Sequence, residues 1–255
     1  MSSQQTQLPT IVFTPGAWHE PWVFDPVRED LAGRGYPTAA AALASVGCTD
    51  PDVGLDQDAE AVRAVLRGLI DAGRDVVVVA HSYGGVPVSN AVRGLHYKDR
   101  AAQGLSGGVI MVVYMASFVI AAGESLLDGK ERMSLETIVT DGFALPCNPI
   151  PRFFADLELS LATRAVEGLV RQTLKSFQGV SGFEPWNEGF EMGYIFAEDD
   201  QVISLDKQIE MSSQFPAGSF TASLPSHHSP FLSMPGALGK ALQQAAEVAV
   251  AKRAN

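Results

Sequence analysis

Ser82 stands in Ala80-His81-Ser82-Tyr83-Gly84-Gly85, directly after Asp75-Val76-Val77-Val78-Val79 and directly before Val86-Pro87-Val88-Ser89-Asn90-Ala91. The first flank is a β-branched run of the kind that forms a buried strand, and the second has the small apolar residues of a helix start. A serine in a sharp turn between strand and helix occupies a nucleophile's position. The strained turn lifts its Oγ above the sheet, and the helix start offers the backbone N–H of Tyr83 to an oxyanion. Small residues at 80 and 84 fit this geometry, because bulky ones would collide with the neighbouring strand and helix.

An activated serine needs a base within hydrogen-bond reach and a carboxylate to orient that base. Of the histidines His19, His81, His96, His227 and His228, only the last two follow the final strand expected in the chain, in Pro225-Ser226-His227-His228-Ser229-Pro230-Phe231. A loop there can return to the serine. Glu198, Asp199 and Asp200 stand at the end of the strand-like Gly193-Tyr194-Ile195-Phe196-Ala197, where an orienting acid is required. Glu124 lies too far beyond its own strand to replace them. The loop after the first strand holds Gly16 and Ala17, and the Ala17 N–H is the expected second oxyanion donor. Trp18 and His19 follow as pocket wall.

The elements that must position these groups alternate. Strands are predicted over Thr10–Thr14, Tyr36–Leu43 (weakly), Val76–Ala80, Gly107–Tyr114, Gly193–Ala197 and Ser219–Ala222. Helices are predicted over Trp22–Gly35, Gly54–Ala72, Val86–Leu95, Leu205–Ser212 and Met234–Ala251. Such alternation specifies an α/β fold, a mostly parallel sheet flanked by helices, whose active site gathers beyond the C-terminal strand ends. Residues 10–122 and 192–255 form this core. From 123 to 191 the alternation stops, and a helical cap is predicted, with helices over Met133–Ile138, Phe153–Leu161 and Ala165–Phe177. Its apolar residues Phe143, Leu145, Phe153, Phe154, Leu157, Phe177, Phe183 and Trp186 are available to line a pocket or to pack the cap. Phe118 and Trp186, with Gly16, Trp18 and His19, are the expected pocket residues.

The chain has 255 residues, enough for one α/β domain with an insertion. Its net charge of −11 argues against nucleic acid and anionic membranes as partners, since both demand a basic surface. No apolar stretch is long enough to cross a membrane. Residues 1–9 read as a flexible polar tail without the basic and apolar regions of a secretion signal. Cys48 and Cys147 are far apart and show no metal spacing, so reduced thiols in a cytoplasmic setting are expected. The expected partner is a small-molecule substrate, with homodimer formation left open.

Several blocks resemble the small-esterase branch of the α/β-hydrolases, which includes plant methylesterases and α-hydroxynitrile lyases. Pro15-Gly16-Ala17-Trp18-His19-Glu20-Pro21-Trp22 is similar to that branch's His-Gly-Ala-Trp-His-Gly-x-Trp. Tyr114-Met115-Ala116-Ser117-Phe118-Val119 with Gly123-Glu124-Ser125 resembles its stretch leading into the cap. Tyr194 to Ile203 resembles its acid strand and implies Asp200 as the acid. His228-Ser229-Pro230-Phe231 resembles its His-Met-Pro-Met segment and selects His228 over His227. The chain departs from the pattern at Pro15, in place of histidine, and at Ala80, in place of glycine. Gly16 and Ser229 stand where the lyases carry a threonine and a lysine, which disfavours cyanohydrin cleavage.

The resemblance implies the α/β-hydrolase fold and a Ser82-His228-Asp200 triad, with Ala17 and Tyr83 as oxyanion donors and no cofactor or metal. The expected activity is hydrolysis of small, largely apolar esters or lactones. The same groups could instead cleave a C–C bond in a ketone or polyketide-like substrate. A ligand receptor that retains the scaffold for its pocket is the non-enzymatic alternative.

Overall fold

The computed structural model describes residues 7–128 and 137–254. Strand β1 (Thr10–Thr14) is buried along its whole length, and a 3-10 turn at Pro21–Phe24 leads into α1 (Asp25–Gly33). Then come β2 (Thr38–Ala40), α2 (Leu55–Ile70), β3 (Asp75–His81), α3 (Gly85–Ala91), α4 (Tyr97–Ala102) and β4 (Gly108–Met115). The strand predicted over Tyr36–Leu43 survives only as β2, consistent with its lack of β-branched residues. Both β3 and β4 read as continuous apolar runs rather than alternations because helices cover both faces of the sheet. Among those helices α2 packs on α3, and α1 on the C-terminal helix over Pro235–Arg253.

The chain leaves the sheet after β4 and returns with β8 (Met192–Ala197), α8 (Leu205–Ser212), β9 (Phe220–Leu224), α9 (Pro230–Ser233) and α10 (Pro235–Arg253). The order β2-β1-β3-β4-β8-β9 is parallel throughout. From β1 the chain goes first to β2 on one side and then to β3 on the other. The crevice at such a reversal is where α/β sheets bind ligands, and Thr14 pairs with Ala80 at its rim.

The inserted segment corrects the expectation of a purely helical cap. It carries a three-stranded antiparallel sheet, β5 (Thr137–Thr140), β6 (Phe143–Pro146) and β7 (Gln172–Thr173). Its helices are α5 (Pro149–Phe153), α6 (Leu159–Glu167) and α7 (Leu174–Gln178). Residues 133–136 of the predicted first helix lie outside the described residues, while Thr137 and Ile138 are strand. Asp141 and Gly142 have φ of +53° and +81°. Positive φ at both central residues is the two-residue hairpin turn that joins β5 to β6. The predicted helix over Phe153–Leu161 is interrupted between α5 and α6, and that over Ala165–Phe177 is broken by β7.

Candidate active site

Ser82 follows β3 directly and has φ +52°, a left-handed conformation that a side-chain-bearing residue holds only when its surroundings enforce it. The enforcement comes from the segment after β4. The carbonyl of Ser82 accepts from the Ser117 hydroxyl (2.8 Å) and the Phe118 N–H (3.2 Å). Tyr194 on β8 in turn holds Ser117, its hydroxyl donating to the Ser117 carbonyl (2.7 Å) and accepting from the Ser117 N–H (3.0 Å). The glycines after the serine permit close backbone approach. A Cβ at Gly84 would lie 2.5 Å from the Pro15 carbonyl oxygen, and one at Gly85 would collide with the Phe118 carbonyl and the Ser117 hydroxyl.

Asp200 and His228 meet from separate loops. His228 Nδ1 lies 2.7 Å from Asp200 Oδ2, with both side chains buried. A carboxylate oxygen only accepts, so Nδ1 carries the hydrogen, which in the neutral imidazole leaves Nε2 with its lone pair. The other oxygen of Asp200 accepts the N–H groups of Val202 (2.7 Å) and Ile203 (3.1 Å), which fix the carboxylate in its turn. Glu198 and Asp199 point to solvent, and the Asp199 N–H donates to the Ser226 carbonyl (3.0 Å), tying the acid loop to the histidine loop. His227 is half-buried, and its N–H donates to Asp156 (3.0 Å) rather than reaching the pair.

A narrow cavity opens over Ser82 and His228. Ala17, Trp18, His19, Tyr83 and Phe118 line it, as does His81, with Leu126, Phe153, Phe177 and Val202 completing an apolar wall. Two expected pocket residues lie elsewhere. Trp186 packs on Phe215 at 6.0 Å, in an aromatic cluster with Tyr114 and Tyr194. Gly16 sits beneath the serine, where a Cβ would come within 2.8 Å of both Ser82 Cβ and His81 Nδ1. Phe143, Leu145, Phe154, Leu157 and Phe183 of the insertion do not line the cavity either.

His19 and His81, which pack near His228, are held neutral by burial. Burial pushes His19 down to about 4, partly opposed by its hydrogen bond to the Ala17 carbonyl (2.7 Å). Burial, with His228 and His19 nearby, also holds His81 well below the ordinary imidazole range. His81 Nε2–H donates to the His228 carbonyl (2.9 Å) and so braces the His228 backbone. Among the described residues no group of three or more His, Cys, Asp or Glu side chains is placed to hold a metal ion.

The model of the alpha/beta hydrolase family matches residues 11–241. The chain belongs to the α/β-hydrolase family. This hydrolase is 27% identical over 248 residues to the alpha/beta hydrolase nvfD of Aspergillus novofumigatus, covering 95% of this chain and 98% of that protein. The Arabidopsis methylesterase MES16 superposes with a TM-score of 0.77 at 21% identity, over 94% of this chain and 100% of that one. A pyrethroid hydrolase from Sphingobium faniae gives 0.71 at 20% identity, over 94% and 97%. The likeness to plant methylesterases carried by the sequence motifs thus extends to the fold.

Several groups of this hydrolase's site escape a reading of motifs. Gln208 on α8 is fully buried. It spans the turn that holds Asp200, accepting from the Ala197 N–H (3.0 Å) and donating to the Ala197 (2.9 Å) and Ile203 (2.7 Å) carbonyls. A glutamine in an amphipathic helix carries no local sign of such a role, since its partners lie in another loop. The same holds for Leu126 and Val202 in the cavity wall. The strand residue His81 had a signal, a histidine inside the nucleophile motif, but no pattern says which way its ring turns.

Proposed function

We propose that this chain is a serine hydrolase of small, largely apolar esters or lactones. The buried 2.7 Å contact between His228 Nδ1 and Asp200, beside a serine in a left-handed turn and open to the same cavity, supports this reading most directly. Ser82 Oγ attacks the carbonyl carbon, and its proton passes to His228 Nε2. Asp200 holds the imidazole in the tautomer that can accept that proton and stabilises the imidazolium that results. The N–H groups of Ala17 and Tyr83 receive the oxyanion, each donor being worth about 3 kcal/mol in such sites. His228 then returns the proton to the leaving alkoxide, and water, deprotonated by the same nitrogen, releases the acid from Ser82. Aromatic and aliphatic walls from Phe118, Leu126, Phe153, Phe177 and Val202 favour apolar acyl or alcohol groups.

The test is labelling with a fluorophosphonate, read by intact and peptide mass spectrometry. Rapid modification of wild type at Ser82, lost in His228→Ala and retained in His227→Ala, is the expected result. A folded wild type that resists both this probe and a smaller one would remove the nucleophile assignment. Equal rates in the two histidine variants would remove the base assignment.

A further inference from the structure

A buried chain of hydrogen bonds, unused by the steps above, joins the two segments that carry the oxyanion donors. Asp58 in the first turns of α2 is fully buried. One of its oxygens accepts the Ser45 N–H (2.8 Å), and the other accepts the Ser45 hydroxyl (2.6 Å) and the Tyr83 phenol (2.7 Å). Ser45 Oγ accepts from the Gln172 amide (3.0 Å), whose carbonyl oxygen accepts the Trp18 N–H (3.0 Å). The carboxylate, which can only accept, is where the path ends. Burial pushes the Asp58 carboxyl up, while the Ser45 and Tyr83 hydrogen bonds pull it back.

Both ends of the path matter to the oxyanion. Tyr83 supplies one donor from its own backbone. Trp18 directly follows Ala17, the other donor, so its anchored N–H lies one peptide plane beyond the donor N–H, and it holds φ at +65°. That left-handed conformation is secured from three sides, by Gln172 at its N–H, by the Ala144 carbonyl at its indole (2.9 Å), and by the Val170 N–H at its carbonyl (2.9 Å). We propose that Asp58 is the positioning residue of the oxyanion hole, setting Tyr83 directly and, through Ser45 and Gln172, the Ala17–Trp18 peptide that follows the Ala17 donor. The proposal rests on the serine-hydrolase reading above.

Asp58→Asn tests it with little change of shape. The Ser45 N–H can only donate, so the Asn oxygen stays with it and the Asn N–H₂ faces the Ser45 and Tyr83 hydroxyls. Tyr83 must then turn its hydrogen to the Ser176 carbonyl, at a longer 3.3 Å. Tyr83→Phe cuts the same link from the other side. With p-nitrophenyl butyrate, each variant is expected to lose about tenfold in kcat with KM within about twofold, as for a donor displaced rather than deleted. Phenylboronic acid, which adds to Ser82 as a tetrahedral mimic, should weaken by a similar factor, and the double variant should be no worse than the poorer single one. Unchanged kcat and boronate affinity, a loss expressed in KM alone, or additive losses in the double variant would overturn the proposal. Fluorophosphonate labelling of wild type separates the two claims. Unlabelled wild type defeats the hydrolase reading itself, whereas labelled wild type with variants of unaltered kcat defeats the positioning role alone.

Discussion

Replacing Asp200 by asparagine changes one atom, and the hydrogen bonds around it determine the outcome. Val202 and Ile203 present backbone N–H groups to one oxygen of the carboxylate at 2.7 and 3.1 Å. Those donors cannot reverse, so the Asn oxygen must remain with them. The Asn N–H₂ then faces His228 Nδ1, 2.7 Å away in the native protein. Two donors cannot share that contact, and the imidazole must move its hydrogen to Nε2. This tautomer has no lone pair for the Ser82 proton. The expected loss in kcat is about 10⁴-fold, as for a triad histidine held in the wrong tautomer, or roughly 5 kcal/mol of barrier. KM should hold, because Asp200 does not line the cavity. Steady-state hydrolysis of p-nitrophenyl esters, with a urea titration to confirm unchanged stability, measures the effect. A folded variant that keeps more than about a tenth of wild-type kcat would refute the tautomer argument.

Two further outcomes follow from burial. His19 titrates near 4 in the folded chain against 6.5 when unfolded, so between those values the unfolded chain binds the extra proton. Its contribution is complete above 6.5 and is lost as the pH falls towards 4, by roughly 3 kcal/mol in all. Urea denaturation across this window should show the decline, and a His19→Gln variant with an undiminished slope would contradict it. Trp186→Ala should cost about 3–5 kcal/mol of stability and leave KM for small esters unchanged, since the ring packs on Phe215. Phe177→Ala, in the cavity wall, should instead raise kcat/KM for bulky over small acyl groups by about tenfold. Indistinguishable acyl preferences in the two variants would contradict this division.

The parallel core was legible because its information is local. Thr10–Thr14 is a strand to the residue, and the β3 run and the glycines after Ser82 announce a strand, a turn and a helix within a single stretch. The segments carrying Asp200 and His228 were legible as loops following predicted strands. Within each loop the local residue pattern left alternatives that the family resemblance narrowed to Asp200 and His228, and the burial of Asp200 beside exposed Glu198 and Asp199 is set by tertiary contacts. The insertion was read less well. Thr137-Ile138-Val139-Thr140 followed by Asp141-Gly142 is a hairpin signal, and the helical reading passed over it. Trp186 was misplaced for a different reason. An aromatic side chain in a cap is apolar whether it faces a ligand or the sheet beneath, and composition does not separate the two.

The parallel pairing of β4 with β8 also governs when the site can come into being. Val112 lies opposite Met192, so about eighty residues must be looped out before that pairing forms, at an entropic cost recovered only afterwards. β3 and β4 are neighbours joined by a far shorter connection, and they can bring the Ser82 turn and its Ser117 brace together early. Asp200 and His228 reach their places only once β8 and β9 have docked. In a refolding experiment the return of fluorophosphonate reactivity would therefore time the last long-range closure of the chain, while backbone signals report the earlier, local steps.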